Sequence, residues 1–356
     1  MVIVVLYWIG LGLRYALSLS SFASVSPKTI PSVSVLIPAR SWREVQPLLA
    51  QLQAQTYPTA WEICLAADRW SEEETRMLQM QSSARLRWIW IREVPARWSA
   101  KKYALWCAAA LAQYDWCVCL DADVEVAEGF LIQWMEYAAK GVAILAPAWL
   151  KAGYPLAVYE ANLVQVEALG RASWGAAYMA TGRGWAVRKA WLQTGLFAWK
   201  EEISGDDDLT FQLLPDKKVV LSPIATYSSA PPTLHQALLR KWRHLQTAKH
   251  YPFLLSVSLA LLPLLQLTSI CAGLLSGNWL LPLLLPPLAK MSALLLVRAP
   301  HPERALYLDW LLLLLQPLYL VGAFWRKHLW LFGTLGAFSS TFAAWISRAI
   351  TAEAYS

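Results

Sequence analysis

A strand that ends in two carboxylates is the feature that most constrains how this chain folds. Residues 116–123 read Trp-Cys-Val-Cys-Leu-Asp-Ala-Asp, so that five apolar residues lead directly to Asp121 and Asp123. A continuous apolar run of this kind predicts a strand buried on both faces, as in a parallel sheet. Ligands of open α/β sheets bind just beyond the carboxyl ends of the strands, so the two carboxylates predict a Mg²⁺ or Mn²⁺ site that holds a diphosphate. Taken alone, such a pair is also typical of an ordinary Asp-rich turn.

Strand and helix patterns alternate around this segment. A further helix is expected to begin at Ser71, whose hydroxyl can cap it and which is followed by three glutamates. This alternation predicts an α/β fold with a mostly parallel, Rossmann-like sheet that is covered by helices on both faces. The spacing of apolar residues predicts strands over residues 33–37, 61–67, 87–91, 116–120 and 142–147, and helices over residues 44–55, 100–111 and 128–139.

The C-terminal third of the chain is much more apolar than the rest. Charged residues make up only 15% of the chain, against about 25% in ordinary soluble domains, which predicts that part of the protein lies in lipid. Each apolar segment here approaches the ~20 residues that a helix needs to cross a bilayer. The last segment, rich in Gly, Ser and Thr, is our candidate for one that lies flat or re-enters instead of spanning. The segments are residues 252–275, 278–297, 306–324 and 329–346, with Lys290 and Asp309 as interior charges.

Another apolar segment, residues 2–19, lies at the N-terminus. A signal peptide requires positive charge before its apolar core, and here none precedes it. We therefore expect an uncleaved anchor, with cleavage as the alternative. The basic residues that follow favour a cytoplasmic location for the next domain. The expected organisation in the cell membrane is an anchor at residues 1–25, a cytoplasmic domain at residues 26–250 and transmembrane or interfacial helices at residues 251–350.

Charge and cysteine content narrow the expected partners. The net charge of +7 is modest, and most basic residues flank apolar segments, so we expect anionic lipid headgroups as the partner and no nucleic acid. The five cysteines form no C-x-x-C pair, and we expect all five to be reduced and buried. The five histidines show no metal-ligand spacing, which argues against a zinc site.

Two more polar residues stand where a sheet of this kind places its site. Asp68 follows the second predicted strand, where a carboxylate can accept hydrogen bonds from a uracil N–H or from ribose hydroxyls. The alternative is a residue that caps a helix or lies in a loop. Lys101 stands just ahead of a predicted helix and can reach a phosphate oxygen, aided by the helix N-terminus. A solvated basic turn is the alternative there.

The order of these motifs resembles the family 2 glycosyltransferases with the GT-A fold, and the resemblance spans roughly residues 30–250. Among these enzymes the arrangement is similar to ceramide glucosyltransferases and to bacterial carotenoid and hopanoid glycosyltransferases. No single motif is very specific, but their combination in this order is. They are the strand Ser-Val-Leu-Ile-Pro-Ala-Arg that ends at Arg40, Asp68, the Lys-x-x-Ala-Leu that begins at Lys101, Asp121-Ala-Asp123, residues 182–189 followed by the acidic run 204–210, and residues 236–243, a loose Gln-x-x-Arg-Trp.

This resemblance implies a role for individual residues. Asp68 would contact the nucleoside, Lys101 the donor phosphates and Asp121 the ribose or sugar. Asp123 would bind the Mg²⁺ or Mn²⁺ that bridges the diphosphate. The donor-binding residues implied in this way are Arg40, Asp68, Lys101, Asp121, Arg240 and Trp242.

The acidic run would supply the general base of an inverting transfer, which needs a carboxylate within hydrogen-bond reach of the acceptor hydroxyl. Counting back from Leu209 selects Asp206, which we favour, whereas the order Gly-Asp-Asp selects Asp207. One of the acidic residues can also cap the following helix.

Two departures from the family pattern affect the acceptor side. Gly184 stands where the family has Asn, so any contact from that side chain is missing. The last motif is one residue too long on each side of its arginine. Arg240 or Lys241 would neutralise the diphosphate and Trp242 would stack in the acceptor mouth, unless this segment is only the basic collar of the next helix.

The sequence therefore predicts a membrane glycosyltransferase that transfers one sugar from a nucleotide sugar, expected to be a uridine diphosphate sugar, to a hydroxyl of a lipid-soluble acceptor. The reaction would be a metal-dependent, inverting single displacement. A small processive polysaccharide synthase and a catalytically inactive nucleotide-binding scaffold are the alternatives.

Overall fold

The computed structural model describes residues 1–20, 30–81, 83–138, 141–214 and 219–315. The strands are β1 Val33–Ala39, β2 Trp61–Asp68, β3 Leu86–Ile91, β4 Trp116–Cys119, β5 Ala143–Leu145, β6 Ala148–Ala152, β7 Trp185–Arg188, β8 Val219–Leu221 and β9 Thr226–Ser229. The helices are α1 Val2–Ser20, α2 Trp42–Gln53, α3 Glu72–Met80, α4 Ala100–Leu111, α5 Phe130–Met135, α6 Pro155–Ser173, α7 Lys189–Ala198, α8 Asp208–Gln212, α9 Leu234–Ala248, α10 Phe253–Leu275 and α11 Leu280–Leu296.

A seven-stranded sheet, in the order β3-β2-β1-β4-β7-β5-β8, organises residues 30–250, and β6 pairs with β9 in a small second sheet. The pairs β3–β2, β2–β1, β1–β4 and β5–β8 are parallel, and β7 runs antiparallel to both of its neighbours. The predicted α/β fold with a mostly parallel sheet is confirmed. Because β1, β2 and β4 are parallel neighbours, their carboxyl ends lie at the same edge of the sheet.

Both faces of this sheet are covered, which explains why its strands read as continuous apolar runs. Successive side chains of a strand point to opposite faces. Accordingly, Leu36 of β1 packs in the cluster that contains α4 and α6, whereas Val35 and Ile37 pack in the cluster that contains α2 and α5. Cys119 and Val118 of β4 divide between the two clusters in the same way.

Element boundaries follow local signals with a few differences. Ser71 and Glu74 form a capping box at the start of α3, as expected for a helix that begins there. β1 extends through Pro38, past the predicted end at residue 37. Its pairing with β4 stops at Leu36, so the missing N–H of Pro38 interrupts no bond on that side. α5 is shorter than the helix predicted over residues 128–139, and it follows Gly129, whose φ is 70°.

Among the described helices, α10 alone is long and apolar enough to cross a membrane by length and composition: it has 23 residues, and its 18-residue apolar window has a mean hydropathy of 2.0 and is 11% buried. The apolar parts of α1 and α11 are shorter. The N-terminal anchor and the further spans therefore stay predictions. Of the two remaining apolar segments, the one at 306–324 is described only to residue 315, and the one at 329–346 lies outside the described residues.

One stripe of α1 is buried against the rest of the chain. Its buried side chains recur at helical spacing, and the helix contacts both α6 and α11. A Cβ added to Gly12 would lie 2.9 Å from the backbone of Ala293, so this glycine permits the close contact with α11. The buried residues of the stripe are Val4, Trp8, Leu11 and Tyr15.

The two charges inside the apolar segments pair with each other. Lys290 on α11 donates to Asp309 Oδ1 at 2.6 Å and to Gln266 on α10 at 2.9 Å. Tyr159 on α6 donates to the same aspartate oxygen at 2.9 Å. All of these groups except Tyr159 belong to the apolar C-terminal segments, so this buried network joins those segments to the sheet domain.

The cysteines are free thiols, and four of the five are buried as predicted: Cys64, Cys107, Cys117 and Cys119. The prediction is wrong for Cys271, which is exposed on α10. α10 is apolar on most of its surface but packs along only part of it, so an apolar neighbourhood in sequence does not imply burial within the chain.

Candidate active site

A cavity of about 1130 Å³ opens at the carboxyl ends of β1, β2 and β4. The loops after these strands form one side of it, and residues of α6 and α9 form the other. All nine residues that the sequence singled out line this one cavity: Arg40, Asp68, Lys101, Asp121, Asp123, Asp206, Asp207, Arg240 and Trp242. Residues more than 200 positions apart in sequence, such as Arg40 and Trp242, thus contribute to one site.

Lys101 connects two of the acidic segments. It lies in the first turn of α4, and its Nζ is 2.8 Å from Asp121 Oδ1 and 2.8 Å from Asp206 Oδ2. Burial works to lower the pKa of Lys101, but the two carboxylates outweigh it and raise this pKa. The lysine is therefore a cation, and it links the Asp-Ala-Asp turn to the acidic run.

The carboxylate pair after β4 is asymmetric. Asp121 forms the ion pair with Lys101, which lowers its pKa against the opposing effect of burial. Asp123 is exposed on the wall of the cavity. The partial loss of solvent there, followed by the negative charge of Asp121, raises the pKa of Asp123. Burial, then Asp123 and Asp121, also raise the pKa of Glu44 at the start of α2, a residue that our sequence analysis did not select. This is a region of negative potential that a bound cation would relieve.

The donor set fits a metal that is shared with a ligand. Within the described ranges, no group of three His, Cys, Asp or Glu side chains is placed to hold one metal ion. Mg²⁺ is usually bound by one or two carboxylates together with substrate phosphates and water. Asp123, with Asp121 beside it, matches that pattern, so the residues present fit Mg²⁺ or Mn²⁺ bound together with a diphosphate.

The acidic run holds its three carboxylates in different environments. Asp206 is paired with Lys101. Asp207 accepts the backbone N–H of Gly182 at 2.5 Å through Oδ2 and that of Asp208 at 2.8 Å through Oδ1. Burial and the charges of the two flanking aspartates outweigh these bonds and raise the pKa of Asp207 to about 7. Asp208 begins α8, where its Oδ1 accepts the N–H of Leu209.

The residues from Gly182 to Gly184 explain one departure from the family pattern. A Cβ at Gly184 would lie 2.9 Å from the Trp134 ring and 2.9 Å from Thr226 Oγ1, so the asparagine of the family does not fit here. A Cβ at Gly182 would lie 3.0 Å from Lys101 Nζ and 3.1 Å from Asp121 Oδ1. The glycine leaves room for the charged groups to meet.

Sequence reasoning missed Arg183, which stands between these glycines and lines the cavity. Only 8% of it is exposed, and its Nε has no hydrogen-bond partner in the described part of the chain. Burial, and then Arg240, lower its pKa to about 10, while Asp121 and Asp123 oppose this change. Its position inside the Gly-x-Asn-like motif was the available signal. The arrangement offers a buried cation to an anionic ligand.

The basic residues in and just after α9 lie in two environments, the cavity wall and ion pairs with neighbouring segments. Arg240 and Trp242 line the cavity, whereas Lys241 pairs with Glu160 on α6 and Lys249 pairs with Glu202. Of the two cations that the sequence left open for the diphosphate, Arg240 is the one that faces the cavity.

Two further observations concern the walls of the cavity. Asp68 is 3% exposed and pairs with the neighbouring Arg69, whose guanidinium also faces the cavity. On α6, the buried Gln165 and, in the loop before β7, Thr181 each present a side-chain oxygen that has no partner within the described residues. Buried polar groups are nearly always satisfied, so such atoms are available to a ligand or to water.

Residues 34–195 match the model of Glycosyl transferase family 2. This segment carries the whole parallel half of the sheet, the Lys101 turn, the Asp-Ala-Asp turn and the Gly182–Gly184 segment. The predicted enzyme class, a glycosyltransferase, is confirmed, and the similarity to family 2 is carried by residues 34–195. The acidic run and α9 lie beyond the matched segment.

No curated protein matches the sequence. Among solved structures, the chain is similar to a mannosyltransferase from Pyrobaculum calidifontis in complex with GDP-Man and Mn²⁺, with 16% sequence identity and a TM-score of 0.49. The match covers 92% of this chain and 97% of that one.

Proposed function

We propose that this glycosyltransferase transfers one sugar from a nucleotide sugar, expected to be a uridine diphosphate sugar, to a hydroxyl of a lipid-soluble acceptor in the membrane. The observation that carries the proposal is that one cavity contains phosphate-binding cations, the carboxylate pair and the acidic run, and that its α9 wall leads within a few residues into the apolar α10. An acceptor dissolved in the bilayer would therefore have a short path to the site.

On the donor side, Asp68 and Arg40 at the ends of β2 and β1 are positioned for the nucleoside, as ligands of such sheets bind at these ends. Lys101 is suited to the diphosphate as a point charge near the N-terminus of α4. Arg183 and Arg240 add two further cations on the same cavity. These side chains would stabilise the charge that develops on the departing nucleoside diphosphate.

Asp123, with Asp121 next to it, would hold Mg²⁺ or Mn²⁺. Such an ion, when bound, supplies positive charge at the leaving diphosphate. Glu44 would contribute negative potential from α2. The expected metal requirement is supported by the donor set at the end of β4.

For the base we favour Asp206. It is buried and ion-paired with Lys101 through Oδ2, and within the described residues no hydrogen bond occupies its Oδ1. Both oxygens of Asp207 already accept backbone N–H groups. In an inverting transfer, the acceptor hydroxyl gives its proton to Asp206, and the acceptor oxygen attacks the anomeric carbon of the sugar. The bond between this carbon and the diphosphate oxygen breaks, and its electron pair leaves with the nucleoside diphosphate.

We also propose that the chain is a multi-pass protein of the cell membrane and that its catalytic domain is cytoplasmic. The support is α10, together with the further apolar segments of the sequence. The division into residues 1–25, 26–250 and 251–350 stays as predicted, with the qualification that α1 and α11 pack on α6 of the central part.

The test is transfer by the full-length protein in detergent micelles that contain a polar lipid extract. UDP-glucose, UDP-galactose and GDP-mannose are supplied with Mn²⁺, and the lipids are analysed by mass spectrometry. A single hexose added to one lipid class supports the proposal. A ladder of products would favour the polysaccharide synthase, and nucleotide binding with no turnover would favour the scaffold.

Two pairs of variants separate the roles within this proposal. Asp123→Ala should abolish the Mn²⁺-dependent activity, whereas Asp115→Ala, at the opposite end of β4, should not. Asp206→Asn should lower turnover by about 10²–10⁴-fold while UDP affinity is kept. If Asp207→Asn instead shows this loss of turnover and Asp206→Asn keeps full turnover, Asp207 is the base.

A further inference from the structure

A buried lysine, Lys102, lies behind the acidic run and has no part in the mechanism above. It follows Lys101 on α4, yet it is fully buried while Lys101 reaches the cavity. Its Nζ donates to three backbone carbonyls: those of Trp199 at 2.7 Å, Glu202 at 2.8 Å and Ser204 at 2.7 Å. All three protons of the ammonium group therefore have a partner.

These three carbonyls belong to the irregular segment of residues 199–204, which we call the base loop because it leads directly into Asp206. The segment has no strand or helix to fix its course, and within it the N–H of Glu202 donates to the carbonyl of Trp199; the other partners of its carbonyls come from elsewhere in the fold. Burial of a lysine costs free energy and lowers the pKa of Lys102 to about 8. A buried ammonium that is surrounded by three carbonyls of one loop sets the shape of that loop.

The acidic run is held on its other side by the junction between α9 and α10. Tyr251 lies two residues before α10 begins, and its hydroxyl donates to Asp208 Oδ2 at 2.7 Å. In the same junction, Lys249 Nζ is 3.1 Å and His250 Nε2 is 2.8 Å from the carboxylate of Glu202 in the base loop. The His250 ring also packs on Trp199, with a centroid distance of 4.8 Å.

We propose that Lys102 and Tyr251 are positioning residues that hold the acidic run from two sides, so that the orientation of the general base depends on how the α9–α10 junction is seated. Neither residue lines the cavity itself; both contact residues that do, Lys102 the carbonyl of Ser204 and Tyr251 the carboxylate of Asp208. The inference rests on the proposed function in one respect, the role of the acidic run as the source of the base. It adds that the α9–α10 junction controls catalysis through Tyr251 and the base loop.

The experiment compares Tyr251→Phe with Tyr57→Phe in the full-length protein. Each substitution removes one hydroxyl and keeps the ring. Tyr57 donates to the carbonyl of Pro31 near the amino end of β1, away from the cavity, so it controls for the loss of a hydrogen bond as such. The rate of hydrolysis of UDP-glucose and GDP-mannose, with water in place of the acceptor, gives kcat and KM, and calorimetry with UDP gives nucleotide affinity.

We expect Tyr251→Phe to lower kcat about tenfold, as for one lost hydrogen bond to a carboxylate, with donor KM and UDP affinity within twofold of wild type. Tyr57→Phe should keep kcat. Equal kcat in the two variants would overturn the proposal, and so would a loss that appears in UDP affinity instead of kcat.

Lys102→Met extends the test to the other side of the acidic run. A folded Lys102→Met protein should bind UDP and lose more kcat than Tyr251→Phe, and normal kcat in this variant would overturn the role of Lys102. If Lys102→Met does not fold, the comparison of the two tyrosine variants decides. A wild-type protein that hydrolyses or transfers no nucleotide sugar is a different result, since it refutes the proposed function itself.

Discussion

Replacing Asp207 by Asn should stabilise the protein at alkaline pH and leave its stability unchanged at acidic pH. In the folded protein the pKa of Asp207 is raised to about 7 by burial and by Asp206 and Asp208, while in an unfolded chain an aspartate titrates near 3.9. The folded state therefore retains a proton that the unfolded state has released between these two values. The stability of the wild type falls as pH rises through this window.

The size of the effect follows from linkage. Each unit of separation between the two pKa values is worth about 1.4 kcal/mol, so a pKa of about 7 sets an upper bound of roughly 4 kcal/mol at pH 8. Relaxation of the site and partial solvent access reduce the expected difference in unfolding free energy to about 1–3 kcal/mol. Each kcal/mol corresponds to a shift in Tm of about 2 °C or more for a domain of this size. An asparagine is neutral at every pH, so it does not carry this penalty.

The assay is thermal unfolding of the purified protein, followed by tryptophan fluorescence from pH 3.5 to pH 8.5. The Tm of Asp207→Asn should equal that of the wild type below about pH 4 and should exceed it by an amount that grows as the pH rises to about 7. Asp115→Asn provides a control with an exposed carboxylate. A variant that is less stable than wild type by the same amount at every pH would refute the reasoning. That result would mean that the N–H bonds from Gly182 and Asp208 outweigh burial and repulsion.

Three further predictions concern other parts of the structure. Gly184→Asn should destabilise the protein by about 1–3 kcal/mol, because its Cβ would lie 2.9 Å from Trp134; an unchanged Tm would contradict this. Lys101→Ala should weaken UDP binding in calorimetry by at least tenfold, since it removes a phosphate cation and leaves two carboxylates unopposed; unchanged affinity would rule out the phosphate role. Asp309→Asn should lower stability by about 3–5 kcal/mol because it leaves Lys290 buried without its charge partner. The double variant Lys290→Met with Asp309→Leu should recover most of that loss, and no recovery would indicate that the pair has a role beyond mutual neutralisation.

Much of the site was predictable because its signals are local. An apolar run that stops at a carboxylate places that carboxylate at the carboxyl end of a strand, and the parallel arrangement brings several such ends to one edge. Asp68, Asp121 and Asp123 could be selected in this way, and Ser71 could be assigned as a helix cap from the residues that follow it. Lys101 was found from its position at the start of a helix.

Only the tertiary structure decided what these side chains do to one another. The pairing of Lys101 with Asp206, the pKa of Asp207 and the burial of Arg183 depend on segments that are far apart in sequence. Lys101 and Lys102 are adjacent and chemically identical, yet one faces the cavity and the other is caged by three carbonyls about 100 residues away. The physical reason is that spacing along the chain defines which face of a helix a residue occupies, whereas its charge state and partners follow from the groups packed against that face.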